Sequence, residues 1–167
     1  MTGDGTQKLS TDVIFAGRKI VLFALPGAFT PTCSRNHLPG YIANIDAIKA
    51  KGVDSVVCVT VNDVHVVNAW AEHTGAKGKI TMLADDNGAF TKAVGMNKFY
   101  PDSGMGERSR RYSMIVDNGV VKSLAIEEMA AHPELKASVN VSASSTMDPD
   151  WWSRLEAMLH LHEHLAE

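Results

Sequence analysis

Only two cysteines, Cys33 and Cys58, occur in the 167 residues of this chain. That is too few for a disulfide-built secreted scaffold or for a four-thiolate zinc site. No apolar run approaches the ~20 residues of a membrane-spanning helix, and no run of Lys or Arg exceeds two residues. With a formal net charge of -3, the chain lacks the basic footprint of a nucleic-acid binder. Met1 to Gln7 is polar and Gly-rich and lacks the charged-then-apolar pattern of a secretory leader. These absences lead us to expect a cytoplasmic protein that binds neither nucleic acid nor membrane. There is also no internal repeat and no long linker, so residues 1–167 are expected to form a single domain. A domain of this size buries roughly two-thirds of its unfolded surface and needs no disulfide staples. What is left for the two thiols is burial or redox chemistry.

The apolar pattern predicts the elements. Ile20 to Leu25 is a continuous apolar run ending at Pro26-Gly27, the mark of a strand buried on both faces. After a loop over Ala28 to Thr32, a helix is expected with Leu38, Tyr41, Ile42, Ile45 and Ile48 on one face. Pro39 should distort its first turns. Val53 to Val61 is a second buried strand, and Asn62-Asp63 can cap a helix over Val64 to Thr74. Ile80 to Ala84 is a third strand, followed by a brief helix ending near Gly95. Asn97 to Arg108 reads as loop. Arg111 to Asp117 and Val120 to Glu127 read as a hairpin joined by Asn118-Gly119. Residues 129 to 149 look irregular, and an amphipathic helix is expected within a C-terminal extension over 148–167 that contains Trp151 and Leu155. The order predicts a thioredoxin-like three-layer α/β/α fold with a central mixed sheet.

The chemistry concentrates in Pro26-Gly-Ala-Phe-Thr30-Pro-Thr-Cys33-Ser-Arg-Asn-His37-Leu-Pro-Gly40, between a strand's carboxyl end and the next helix. A lone cysteine is ordinarily a buried structural thiol. Here its neighbours are Pro, Thr, Ser and Asn rather than aliphatic residues, and the first turn of a helix stabilises a thiolate. Magnitudes limit that effect. Stabilising a thiolate by two and a half pKa units takes about 3.4 kcal/mol, whereas a helix terminus supplies about 0.3 to 1 kcal/mol. A hydroxyl such as Thr30 and a cation from elsewhere in the chain must provide the rest. Full ionisation itself gains only tens-fold in rate, so larger accelerations require donors aimed at the transition state.

PGAFTPTC followed by SRNHLPGY matches the P-x-x-x-T-x-x-C signature of the peroxiredoxins, in the form of the Prx5-like (type II) subfamily. VVCVTVND, NAWAE, KITMLADDNGAFTKAVG and RSRRYSMIVDNGVVK resemble that subfamily in the same order, from about Gln7 to Glu127. The resemblance implies a thiol peroxidase that reduces hydrogen peroxide and organic hydroperoxides, serving antioxidant defence and redox homeostasis without a cofactor or metal. It implies that Cys33 is the peroxidatic cysteine and becomes a sulfenic acid. Thr30 matches the hydroxyl that serves thiolate and peroxide, Pro26 the residue that shields the site, and Arg111 the active-site arginine. Arg110 should point to the opposite face. The implied partners are a peroxide, a thiol reductant (glutathione with glutaredoxin, or thioredoxin) and a second copy in a homodimer, with Phe29 and the 97–105 loop at its edge. The expected alternative is a non-catalytic thioredoxin-fold redox sensor or holdase that uses Cys33 as a switch.

His37, one turn beyond Cys33, suggests a Cys–His pair or a metal site, but a packed or polar-network histidine fits the family better. His160, His162 and His164 could take a metal but read as a solvated tail. Ser34 leaves no C-x-x-C motif. Cys58 is a possible resolving thiol. Dead reckoning returns it to the height of Cys33, after ~24 Å of helix and ~20 Å of strand. The lateral separation is roughly 10 Å, beyond the ~7 Å Cα limit of a disulfide. Some plant-type relatives carry two cysteines at this spacing, and others keep a resolving cysteine near the C-terminus, where this chain has none. Cys58 lies between Val57 and Val59, so an inert core thiol is the other reading. Subfamily members usually start one strand earlier and end sooner, which leaves the Trp-Trp segment to cover that surface or to extend a dimer contact.

Overall fold

The computed structural model describes residues 7–126. A five-stranded mixed sheet runs in the order β3-β2-β1-β6-β7, with β1 Lys19–Leu25, β2 Ser55–Thr60, β3 Thr81–Ala84, β6 Tyr112–Asp117 and β7 Val120–Ile126. The first three strands are parallel, β6 is antiparallel to β1, and β7 is antiparallel to β6. β1 is buried on both faces because it is the central strand. Its side chains alternate between two cores. Val21, Phe23 and Leu25 pack with Leu38, Tyr41 and Trp70 on one face. Ile20, Leu22 and Ala24 pack with Phe15, Tyr112 and Met114 on the other. Helices therefore cover both sides of a mixed sheet, the thioredoxin-like α/β arrangement expected.

On the first face lie the segments that carry the site. The chain leaves β1 at Pro26, loops, and enters a π-helical turn over Cys33–His37 that continues as α2, Leu38–Ala43. The Leu38 N–H donates to the Cys33 carbonyl five residues back. Pro39 explains the widening. It has no N–H to give the Arg35 carbonyl, and its ring would crowd that carbonyl in a normal α turn. The predicted distortion is thus a π turn, and the helix also breaks at Asn44 (φ -105°, ψ 11°) before α3, Ile45–Ala50. Asp63 caps α4, Val64–Thr74, accepting from the His65 and Val66 N–H groups at 2.9 and 3.0 Å.

Two elements differ from expectation. A short helix α1, Thr11–Phe15, begins at Ser10, whose hydroxyl accepts from the Val13 N–H. Its five residues are too few for a periodic signal. The segment expected as loop is a two-stranded ribbon, β4 Asn97–Tyr100 and β5 Gly106–Ser109, lying between α5, Ala89–Ala93, and β6. Four-residue strands give only two alternations, and the Pro, Asp, Ser and Gly of the turn between them, Pro101 to Gly104, are typical loop residues. The Asn118-Gly119 hairpin is as expected, with φ of 47° and 78°. The tail helix, residues 129–149 and the three tail histidines lie outside the described residues.

Asp63→Ala should cost about 1 kcal/mol of stability through loss of the α4 cap. Urea unfolding checks this, and an unchanged midpoint would contradict the cap's role.

Candidate active site

The antiparallel pairing of β1 and β6 brings two distant sequence segments together. Ala24 lies opposite Tyr112, so Arg111 enters β6 beside the carboxyl end of β1, where Pro26 begins the loop to Cys33. Tyr112 faces the second core, while Arg111 turns to the first face, where Cys33 lies. There Nη1 and Nη2 of Arg111 each donate to Cys33 Sγ at 3.5 Å. Nη1 also meets His37 Nδ1 at 3.1 Å. All three side chains are buried, Cys33 to 1% exposure. The fork brings to Cys33 the cation from elsewhere in the chain that a helix end alone does not provide. The backbone N–H of Arg110 donates to the Met96 carbonyl at 2.7 Å.

Burial holds the His37 pKa well below the ordinary histidine value of 6.5, and the Arg111 charge lowers it further. The ring is therefore neutral near pH 7. It packs edge-on to Phe23 at 5.2 Å and to Tyr41 at 5.5 Å, and Phe23 and Tyr41 are themselves stacked at 3.9 Å. Among the described residues, no cluster of three His, Cys, Asp or Glu could hold a metal ion.

Thr30 sits on the loop, and its hydroxyl donates to the Gly27 carbonyl at 2.8 Å. Its single proton must leave that bond before it can serve a sulfur or a peroxide. Pro26 is buried at the strand end. Gly27 is hemmed in. A Cβ there would lie 3.2 Å from Thr30 Cγ2 and 3.4 Å from Arg108 Nη1. The loop is fastened to β2 by Asn62, whose Oδ1 accepts from the Ala28 N–H at 2.9 Å and from the Thr60 hydroxyl at 2.8 Å. Arg108 donates to the Val61 carbonyl at 2.9 Å beside it. Trp70 Nε1 donates to Ser34 Oγ at 2.9 Å and ties the π turn to α4. Sequence reasoning missed the roles of Asn62, Arg108, Ser34 and Trp70. Only the polar Asn62 directly after an apolar strand gave a signal.

Cys58 stands in register with Phe23 on β2 and belongs to the same core as Cys33. Both thiols are free. Burial pushes the Cys58 pKa well above the ordinary thiol range, and a negative Cys33 would raise it further. Of the sequence-derived candidates, Cys33 and Arg111 are in contact, and Thr30 and Pro26 lie on the loop leading to them. Cys58 is walled into the core.

Known proteins resemble this chain in sequence and in fold. The Redoxin family model matches residues 1–140. Peroxiredoxin-2E, chloroplastic, of Arabidopsis thaliana is 42% identical over 78% of this chain and 56% of its own length. Peroxiredoxin-2F, mitochondrial, of the same plant is 48% identical over 69% of this chain and 57% of its own. The chain thus spans little more than half the length of these relatives. The crystal structure of reduced Prx3 in complex with H2O2 from Vibrio vulnificus matches with a TM-score of 0.74 and 46% identity, over 90% of this chain and 83% of that one. The relatives' names correct the expected cytoplasmic address. A low cysteine count fits any reducing compartment, and peroxiredoxins named for the chloroplast and the mitochondrion match this chain, so the count cannot select the cytoplasm.

A neutral buried histidine has a consequence for stability. The unfolded chain takes up a proton at His37 near pH 6.5 while the folded chain does not. Stability is therefore fully present above about pH 6.5 and is lost as pH falls from there towards the depressed folded value. His37→Asn should flatten that part of the pH–stability profile. Denaturant unfolding between pH 7 and pH 5 checks it, and parallel profiles for the two proteins would count against it.

Proposed function

The chain belongs to the Redoxin family and, within it, to the peroxiredoxins, and from that premise we propose that it is a thiol peroxidase with Cys33 as its nucleophile. The observation that carries this reading is the two-pronged approach of the Arg111 guanidinium to Cys33 Sγ. Negative charge on sulfur is favoured there, and so is the charge that spreads onto oxygen as the O–O bond breaks. The Cys33 thiolate attacks one peroxide oxygen and forms an S–O bond. The O–O pair of electrons leaves with the other oxygen, which takes a proton and departs as water or an alcohol. Thr30 and Pro26 border the reacting space. A peroxidase needs Thr30 and Arg111 together with Cys33, whereas a sensor could lose either, and the presence of all three favours the peroxidase.

The sulfenic acid on Cys33 then needs a thiol. Cys58 is a poor candidate, because burial disfavours its thiolate and the thiolate is the attacking species. The reductant in this reading is glutathione with glutaredoxin, or thioredoxin. One thiol forms a mixed disulfide with Cys33 and releases water, and a second restores the Cys33 thiolate. Phe29 and Phe99, 51% and 65% exposed, support a homodimer with its edge at the loop and at the β4–β5 ribbon. Residues 1–167 are read as one peroxiredoxin domain with 148–167 as an appended helix. The names of the relatives favour an organelle.

Peroxide consumption driven by either reductant should be abolished in Cys33→Ser, and equal activity in the two proteins would remove the central claim. After one equivalent of peroxide, intact mass should show the gain of one oxygen. A two-dalton loss in monomer that vanishes in Cys58→Ser would assign Cys58 the resolving role instead.

A further inference from the structure

We infer that the surface groove beside the Cys33 turn seats a small carboxylate-bearing thiol, Arg35 taking its carboxylate while its sulfur meets Cys33. The inference rests on the reading of Cys33 as a peroxidatic nucleophile recycled by a thiol. Of the two reductants proposed above, it selects glutathione. The groove measures about 350 Å³, within the range of small-ligand sites. Phe29, Pro31 and Pro39 give it apolar walls, Ser34 and His73 add polar groups, and Arg35 is its permanent cation. No carboxylate lines it. Among the described residues, no ion pair or hydrogen bond engages the Arg35 guanidinium. Its donors stand at the surface in the planar fork that suits a carboxylate.

Two features tie the groove to the reaction. The first is its place. At 1% exposure, Cys33 is out of reach of a tripeptide. For a mixed disulfide to form, the sulfur has to come to the surface, and the surface it meets is that of its own chain neighbours. Pro31, Ser34 and Arg35 are those neighbours, and all three line the groove. Pro39 gives the turn one helical hydrogen bond fewer, which lowers the cost of opening it. The second feature is Phe29, which holds φ at 60° with its ring 51% exposed and 5.7 Å from the His73 ring. A bulky residue is disfavoured at that φ and glycine would be relaxed, so the backbone cost is borne for the ring. The homodimer reading sets Phe29 at an edge, and the groove lies on the His73 side of the ring. With its carboxylate on Arg35 and its methylenes against Phe29 and Pro31, glutathione attacks the Cys33 sulfenic sulfur as the thiolate. The S–S bond forms as the S–O bond breaks, and the oxygen leaves as hydroxide and takes a proton to become water.

The experiment oxidises the protein with one equivalent of hydrogen peroxide and follows the Cys33 mixed disulfide by rapid quench and intact mass. Glutathione and 2-mercaptoethanol, a thiol that carries no carboxylate, react with the same oxidised protein, so a change in Cys33 itself cancels in the ratio of their rate constants. Far-UV circular dichroism establishes that each variant is folded. In Arg35→Glu the ratio of the glutathione to the 2-mercaptoethanol rate constant should fall about fivefold or more. Arg35→Lys, which keeps the charge, should hold it within about twofold of wild type. An unchanged ratio in Arg35→Glu, as a second copy or thioredoxin seated on the groove would give, would overturn the role of the groove alone. So would an equal fall in both variants, or an oxidised wild type that forms no glutathione adduct. A wild type as inert towards peroxide as Cys33→Ser would overturn the reading of Cys33 and this role with it.

Discussion

A guanidinium taken out of water is costly unless its donors find acceptors, and the fold around Arg111 is arranged to provide them. Two of its N–H groups point at Cys33 Sγ and one meets His37 Nδ1. These contacts tie the start of β6 to the first turns of a helix more than seventy residues earlier. The sheet order makes this possible. Placing β6 directly against β1 in antiparallel sense sets Arg111 beside the loop that β1 feeds. Were β6 parallel or one strand further out, the same residue could not reach the sulfur. The topology and the chemistry are therefore one requirement.

Around that contact the polar groups of the loop and of the π turn are held by hydrogen bonds. Asn62 fastens Ala28, Thr30 bonds back to Gly27, and Ser34 is fixed by Trp70. The Asn62 and Trp70 bonds join the loop and the turn to the end of β2 and to α4, so the site inherits rigidity from the sheet and from α4. The aromatic group of Phe23, Tyr41 and His37 performs the same service from below. Cys58 is the register partner of Phe23 in the neighbouring strand and shares a core with Cys33.

The sheet was legible in the sequence because its strands are buried on one or both faces and read as apolar runs: Ile20 to Leu25, Val53 to Val61, Arg111 to Asp117. The helix after Cys33 was legible through Leu38, Tyr41, Ile45 and Ile48, and Pro39 announced a distortion without specifying its form. What escaped was short or relational. The five residues of α1 and the paired four-residue strands β4 and β5 carry too few periods to stand out. The nucleophile, hydroxyl and arginine came from a motif whose members specify the chemistry in their own types. Asn62, Arg108 and Trp70 act through where the chain folds back, and nothing in their local sequence records that.

The π turn between Cys33 and His37 also changes how this helix must be read. A turn closed by an i→i−5 bond holds one residue more than an α turn, and one residue is about 100° of rotation. Side chains before and after it are therefore out of phase. A helical wheel drawn straight through from Cys33 would misplace Tyr41 and Ile48 relative to the sulfur. The inserted residue gives a single helix two separately set faces, one aimed at the guanidinium and one at the sheet.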